Sequence, residues 1–293
     1  MKRASGSRFE LAQWRFVIPE SSSDQSPYLR DHLAAEIVVA LEGKRGAAFR
    51  RSRHATTWKL RTTGSGGEAT NIFVKKLDSA RGFIGRAKAK SRAKRSDHVR
   101  RISEDLRRHN FGVPDVLLIG ENRATGDEVI VTSEAPGFML TRWMNPVHRT
   151  ELKLRRAILH QLGEEVARLH LSGYIHGDLT PYNIFATGDP PIHITFIDHE
   201  GTGKTSRVSI GSARNRMRNL VQLGHFDIPG VSRTDKLRVL ASYAAVIGLS
   251  GATRRRHFMK LVKMIERRRG RDREIMRGAS RPAIIAREDT ARS

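Results

Sequence analysis

The stretch Tyr174 to Gly201, YIHGDLTPYNIFATGDPPIHITFIDHEG, holds two polar clusters, each set in an apolar, strand-like frame. The first is His176-Gly177-Asp178-Leu179-Thr180-Pro181-Tyr182-Asn183; the second is Phe196-Ile197-Asp198-His199-Glu200-Gly201. Their chemistry matches the needs of phosphoryl transfer, which asks for positioning and charge neutralisation more than for covalent work. One carboxylate must orient the attacking hydroxyl and accept its proton, and Asp178 has that place. Mg2+ wants hard oxygen ligands, and the Asn183 carboxamide and the Asp198 carboxylate supply them. Pro181 stiffens the loop between Asp178 and Asn183. Ile192, Ile194 and Phe196 alternate with His193, Thr195 and Ile197, which predicts a strand delivering Asp198. Gly177 and Gly201 permit sharp turns on either side. Either cluster alone reads as ordinary loop polarity. Both together, in this order and after a helix, point to a catalytic site.

Upstream, Leu154, Ile158, Leu162, Val166, Leu169 and Leu171 recur on a helical period, with Glu164 and Glu165 expected on the exposed side. His170 reads as a packing or capping residue. Residues 33–76 read as strands: Ala35 to Leu41, Ala47 to Arg50, Thr57 to Arg61, and Asn71 to Lys75, the last two separated by a turn around Gly64 to Gly67. Val99, Ile102 and Leu106 predict a helix stopped at Phe111-Gly112-Val113-Pro114. Val116 to Gly120 and Glu128 to Thr132 are two further strands. Helices are expected between Asn219 and Ile247 and around Phe258 to Ile265.

The motifs HGDLTPYN and FIDHEG resemble the catalytic and metal-binding loops of the protein-kinase-like superfamily. Gly177, where regulated protein kinases carry Arg, points to the branch of aminoglycoside, choline, RIO-like and lipopolysaccharide core (Kdo/heptose) kinases. LRRHNFGVP at Leu106 to Pro114, then DVLLIG and VTSEAPG, resemble the first lobe of the lipopolysaccharide core kinases, and the likeness spans roughly residues 47–245. His199-Glu200 departs from the family's Phe-Gly, so an on/off switch built on Phe packing does not carry over. The resemblance implies an α+β, bilobal protein-kinase-like fold with a β-rich N-lobe and a helical C-lobe. It implies Asp178 as catalytic base, Asn183 and Asp198 as metal ligands, and ATP with Mg2+ as cofactors.

In such a fold a strand-borne Lys holds the α- and β-phosphates. Lys75 is the choice, with Lys76 facing the opposite side. Glu104 is the candidate partner for that Lys, the alternative being a solvated pair with Asp105. The phosphate-covering loop is either Gly43 to Gly46 or, preferred by order of elements, Arg51 to Thr56, with Ser52, Arg53 and Thr56 meeting phosphate. Ser133, Glu134 and Ala135 fall at the hinge, where adenine bonds backbone groups. The domains expected are a polar lead-in at 1–31, of which Trp14, Phe16, Val17 and Ile18 could pack on the first lobe, an N-lobe at 32–134, a C-lobe at 135–266 and a basic tail at 267–293.

The chain has 293 residues, enough for a large core, and no Cys, which excludes disulfides and thiolate metal sites. No apolar run approaches the roughly 20 residues of a membrane span. The expectation is a cytoplasmic monomer, peripheral at the inner membrane. Lys and Arg number 54 against 30 Asp and Glu, net +24, which favours a polyanionic partner. The resemblance makes that partner an anionic glycolipid or sugar acceptor at an anionic inner-membrane surface, with nucleic acid as the rival. The alternatives to a sugar kinase are a RIO-like protein kinase or ATPase with an RNA-associated partner, an aminoglycoside-type phosphotransferase, and a non-catalytic anion-binding scaffold. The segment after Gly201 lacks the Ala-Pro-Glu end where peptide substrates dock, which argues against a protein acceptor. Cationic aminoglycosides suit a +24 chain poorly.

Overall fold

The structure, a computed structural model, describes residues 6–43, 48–52, 54–63, 68–79, 94–205 and 210–278. Strands β1 (Gly6–Leu11), β2 (Trp14–Pro19), β3 (Arg50–Arg51), β4 (Ala55–Thr63), β5 (Ala69–Leu77), β6 (Val116–Asn122) and β7 (Glu128–Ser133) form a seven-stranded sheet in the order β1-β2-β6-β7-β5-β4-β3. Every pairing in it is antiparallel. The period of two sorts the residues of β5 by face. Ile72 and Val74 lie opposite Leu60 and Trp58, while Phe73 and Lys75 lie opposite Lys59 and Thr57. Helix α1 (Ala34–Leu41) belongs to the core on the first face, with Ile37 and Val38 clustering with Trp58, Val74, Leu118 and Val131. Helix α2 (Arg95–Arg108) covers the second, setting Val99 among Leu77, Ile119 and Ile130.

Three expectations for this lobe are corrected. The stretch Ala35 to Leu41 is a helix, not a strand. Its β-branched run suggested strand, but Ala34, Ile37, Val38 and Ala40 are the buried positions, a helical spacing against the sheet. Residues 6–31 are not a loose polar lead-in. β1 and β2 make a hairpin whose second strand pairs with β6, and Trp14, Phe16 and Ile18 are buried. Lys75 also does not end its strand, which runs on to Leu77. The expected turn at Gly64 to Gly67, the loop Gly43 to Gly46 apart from Gly43, Arg53, and the basic stretch from residue 80 to 93 lie outside the described residues. Because Phe16 is fully buried against the sheet, Phe16→Ala is expected to lower unfolding stability by about 3–5 kcal/mol. A urea midpoint equal to that of the unaltered chain would show the hairpin to be dispensable.

The second lobe is helical: α3 (Leu140–Met144), α4 (Leu152–Leu171), α5 (Ile210–Gly224), α6 (Arg233–Ile247) and α7 (Gly251–Gly278). Its core joins Ile158, Leu162, Val166 and Leu169 of α4 with Leu220, Val239, Tyr243 and Leu261 from the others. α4 and α6 approach closely at Gly163, where an added Cβ would sit 2.3 Å from the Val239 carbonyl oxygen. α6 starts in a capping box of Ser232 and Asp235, and Asp235 also accepts from Arg155 at 2.6 Å. Glu165, expected at the surface, is buried and pairs with Arg168 at 2.6 Å; burial raises its pKa. Leu171, expected in the core, is exposed at the helix end. The basic residues from 267 on form the last turns of α7, which runs unbroken to Gly278, with Arg267, Arg268 and Arg271 exposed. No helix among the described residues is long and apolar enough to cross a membrane.

Two small ladders sit where the lobes meet. β8 (Phe138–Met139), β10 (Ile184–Ala186) and β11 (Ile194–Phe196) form one. β9 (Tyr174–Ile175) and β12 (Gly203–Lys204) form the other. Between their strands hang the two polar clusters.

Candidate active site

β9 delivers His176 to Asp178, and β11 delivers Asp198, in line with the alternation in the sequence. The two loops are stitched together by a backbone bond and by the ring of His176. Ile197 N–H donates to the Asn183 carbonyl at 3.0 Å, and His176 Nε2 donates to the Ile197 carbonyl at 3.0 Å. The Asn183 amide nitrogen donates to Asp178 at its carbonyl, 2.9 Å, and at Oδ2, 3.0 Å. With the nitrogen spent on Asp178, the Asn183 amide oxygen is the atom left for a cation. Asp198 has φ 65° and ψ 62°, the left-handed region that a residue with a Cβ rarely enters. Such geometry costs about 1–3 kcal/mol and collects at functional sites. Gly177 has a steric reason: a Cβ there would lie 2.4 Å from the Gly201 Cα, so the catalytic and metal loops could not close on each other.

Lys75 reaches across the cleft to these loops. Its ammonium lies 2.9 Å from Asp198 Oδ1 and 2.5 Å from Glu200 Oε1. Burial alone would lower its pKa, but the two carboxylates outweigh that and the pKa is raised. Lys76, on the opposite face, pairs with Asp127 at 3.1 Å and Asp78 at 3.6 Å. Glu104 does not meet Lys75. It takes Arg100 on its own helix, with both oxygens within 2.9 Å of Nη1. The (i, i+4) spacing makes that partner immediate.

Among the phosphate-loop candidates, Ser52 closes a turn with Ala55, its Oγ accepting from Ala55 N–H at 3.1 Å. Thr56 is paired with Lys76 rather than Lys75, so it faces away from the cleft; Thr57 shares the face of Lys75. Arg53 lies outside the described residues. At the hinge, Ser133 N–H is bonded to the Asp115 carbonyl and Glu134 N–H to the Asn71 carbonyl. The Glu134 carboxylate holds Lys59 and Asn71. Ala135 is buried beside them.

Several residues of the site escaped the sequence reading. Asn219 on α5 accepts from His176 N–H at 3.0 Å and donates to the His176 carbonyl at 2.6 Å. Gln222, one turn on, donates to the Gly177 carbonyl at 3.1 Å. α5 therefore clamps the catalytic loop by its main chain. His199, in the place of the family's Phe, is buried and packs 5.2 Å from the His176 ring. It donates to the Phe196 carbonyl and accepts from Thr202 Oγ1. Phe73 stands two residues before Lys75 on the same face, with Phe49 packed against it. Only that i, i+2 relation was available in the sequence; the Asn219 and Gln222 contacts bridge more than forty residues.

Two lobes, a cleft between them, and Asp178, Asn183, Asp198 and Lys75 meeting at that cleft define a kinase-type phosphotransferase. Residues 31–243 match the lipopolysaccharide kinase (Kdo/WaaP) family, and the chain belongs to that family. A solved structure described as WaaP in complex with acyl carrier protein shares the fold at TM-score 0.59 and 20% identity, covering 88% of this chain and 98% of the other. No curated protein matches the chain in sequence. The protein is thus a kinase of the lipopolysaccharide core type, with the bilobal α+β fold that the two motifs implied.

Proposed function

We propose that the chain transfers the γ-phosphate of ATP to a hydroxyl of a Kdo or heptose sugar in the lipopolysaccharide inner core. The observation that carries this is the meeting of Asp178, Asn183, Asp198 and Lys75 at one cleft in a member of this kinase family. Asp178 takes the proton of the acceptor hydroxyl, and its Oδ2 is oriented by Asn183. Lys75 binds phosphate oxygens once these compete for its ammonium. Ala135 is the hinge residue whose backbone meets adenine, since the N–H groups of Ser133 and Glu134 are already bonded.

The donor set fits Mg2+: one amide oxygen and one carboxylate, both hard, leaving the remaining positions to phosphate and water. Asn183 and Asp198 would hold it, and it would supply charge neutralisation at the phosphates. The acceptor is anionic, which suits a chain of net charge +24. α7 displays Arg255, Arg256, Lys260 and Lys263 around exposed Met259 and Val262, a composition that suits peripheral contact with an anionic inner-membrane surface at the cytoplasmic side. Acyl carrier protein, named in the WaaP structure, is a candidate partner of this chain too.

The test offers radiolabelled ATP with Mg2+ and three acceptors: deacylated inner-core oligosaccharide, an RNA-bound protein substrate and an aminoglycoside. Label is expected in the oligosaccharide alone. Label in the protein substrate would favour the RIO-like reading, and label in none would remove the sugar assignment.

A further inference from the structure

We propose that Glu200 is the positioning residue for Lys75, doing from the metal loop what the resemblance assigned to a carboxylate on α2. The inference rests on the reading of Lys75 as the phosphate-binding lysine. Glu200 Oε1 lies 2.5 Å from the Lys75 ammonium, and Glu200 Oε2 lies 2.5 Å from Arg95 Nη2 at the start of α2. The carboxylates of α2 have other partners. Asp97 takes Arg100 and Arg101, Glu104 takes Arg100, and Asp105 takes Lys204 and the Tyr174 hydroxyl. Among the described residues, the lysine therefore meets its carboxylates only on the loop that follows β11.

The polarity of the usual arrangement is reversed. Here the helix offers a cation, Arg95, and the metal loop offers the anion. Lys75 and Arg95 against Asp198 and Glu200 make a neutral quartet across the cleft. Glu200 is held in place because the residue before it is anchored: His199 is buried and bonded to Phe196 and Thr202. Both Glu200 oxygens are engaged by cations, which marks it as a positioning group rather than a metal ligand. When nucleotide and metal bind, Asp198 is required at the metal. Glu200 then remains to keep the Lys75 ammonium in the cleft, and Arg95 ties α2 to that same carboxylate. A side chain on Glu200's loop can do this at no separate ordering cost, since the loop is already built to present Asp198.

The experiment compares the full chain with Glu200→Gln, Glu200→Asp, Glu104→Gln, Lys75→Met and the Lys75→Met/Glu200→Gln double variant. Glu200→Gln is expected to raise the KM for ATP about tenfold, the size of one lost charge-assisted bond. Adenosine affinity and the Mg2+ concentration for half activity are expected to stay within about twofold, because the loss acts through the phosphates. Glu200→Asp recovers part of the loss, and Glu104→Gln changes nothing. The double variant is expected to be no worse than Lys75→Met, since Glu200 acts through Lys75. Additive losses, or a raised Mg2+ requirement in Glu200→Gln, would make Glu200 a metal ligand and overturn the proposal. So would a tenfold KM increase in Glu104→Gln with none in Glu200→Gln. If Lys75→Met itself leaves ATP binding intact, the nucleotide-site reading fails instead. Melting temperatures of each variant separate these effects from unfolding.

Discussion

Asp178→Asn is expected to lower turnover by about 10²- to 10⁴-fold, the contribution of a positioned general base. The replacement is isosteric, and the loop does not depend on the charge. The Asp178 backbone N–H donates to His176 Nδ1 at 3.1 Å, and its carbonyl accepts from Thr180 and Asn183. Those bonds survive the substitution, and an amide oxygen can still accept from Asn183. What disappears is the carboxylate proposed to take a proton from the acceptor hydroxyl. ATP with Mg2+ should therefore still raise the melting temperature of the variant, and the KM for ATP should hold. Turnover in single-turnover assays, measured alongside thermal protection, distinguishes loss of chemistry from loss of binding. Full activity in Asp178→Asn would remove the base assignment.

Between pH 8 and pH 5 the folded state is expected to lose about 6 kcal/mol of stability through three buried histidines. Burial lowers His170 to about 4, His176 to about 4 and His199 to about 3, from an ordinary 6.5. Each ring is wired as a neutral tautomer. His170 Nδ1 accepts from the Tyr243 hydroxyl while Nε2 donates to Asn219. His176 Nδ1 accepts from Asp178 N–H while Nε2 donates to Ile197. His199 does the same with Thr202 and Phe196. A second proton on His176 would face the Asp178 N–H, a donor that cannot accept, whereas on His170 and His199 the hydroxyl partner would have to turn round.

Burial is the largest cause for all three rings, and their neighbours act in both directions. After burial, the Asn219 hydrogen bond favours a proton on His170 and Arg216 of α5 opposes it, while on His199 the opposition of His176 exceeds the pull of either the Phe196 carbonyl or Asp198, with His98 of α2 opposing least. The sign follows directly. Below pH 6.5 the unfolded chain binds these protons and the folded chain does not. Stability is thus full above 6.5 and falls until the folded values are reached. At pH 5 each group contributes about 2 kcal/mol of loss, and the sum rivals the typical net stability of a domain. Asp105, Asp127 and Asp235, whose pKa values are lowered, act only below about 3.8 and so lie outside this window. Glu165, raised by burial, offsets a little of the loss. Urea midpoints between pH 8 and 5 test this, with His199→Phe expected to flatten the slope by about a third. A flat profile in the unaltered chain would mean that the rings titrate normally.

The sequence by itself determined the class, and it named the residues now proposed for the site. Asp178, Asn183 and Asp198 were legible because they lie within one strand–loop–hairpin unit, where spacing along the chain limits spacing in space. Strand alternation put Lys75 and Lys76 on opposite faces, but which face meets the cleft came from the packed chain, where Lys75 reaches Asp198 and Glu200. The tertiary structure decided what spacing does not limit. Whether Ala35 to Leu41 is strand or helix depended on which of its residues meet the sheet, since a short β-branched run carries both periods. Trp14, Phe16 and Ile18 became core only because β2 found β6 about a hundred residues away. The partner of Lys75 moved from Glu104 to Glu200 because ion pairs follow proximity, and Arg100 stood nearer to Glu104. The neutral histidines and the Asn219 clamp exist only once α5 is docked on the catalytic loop, for burial and long-range hydrogen bonds belong to the packed chain and to no segment of it.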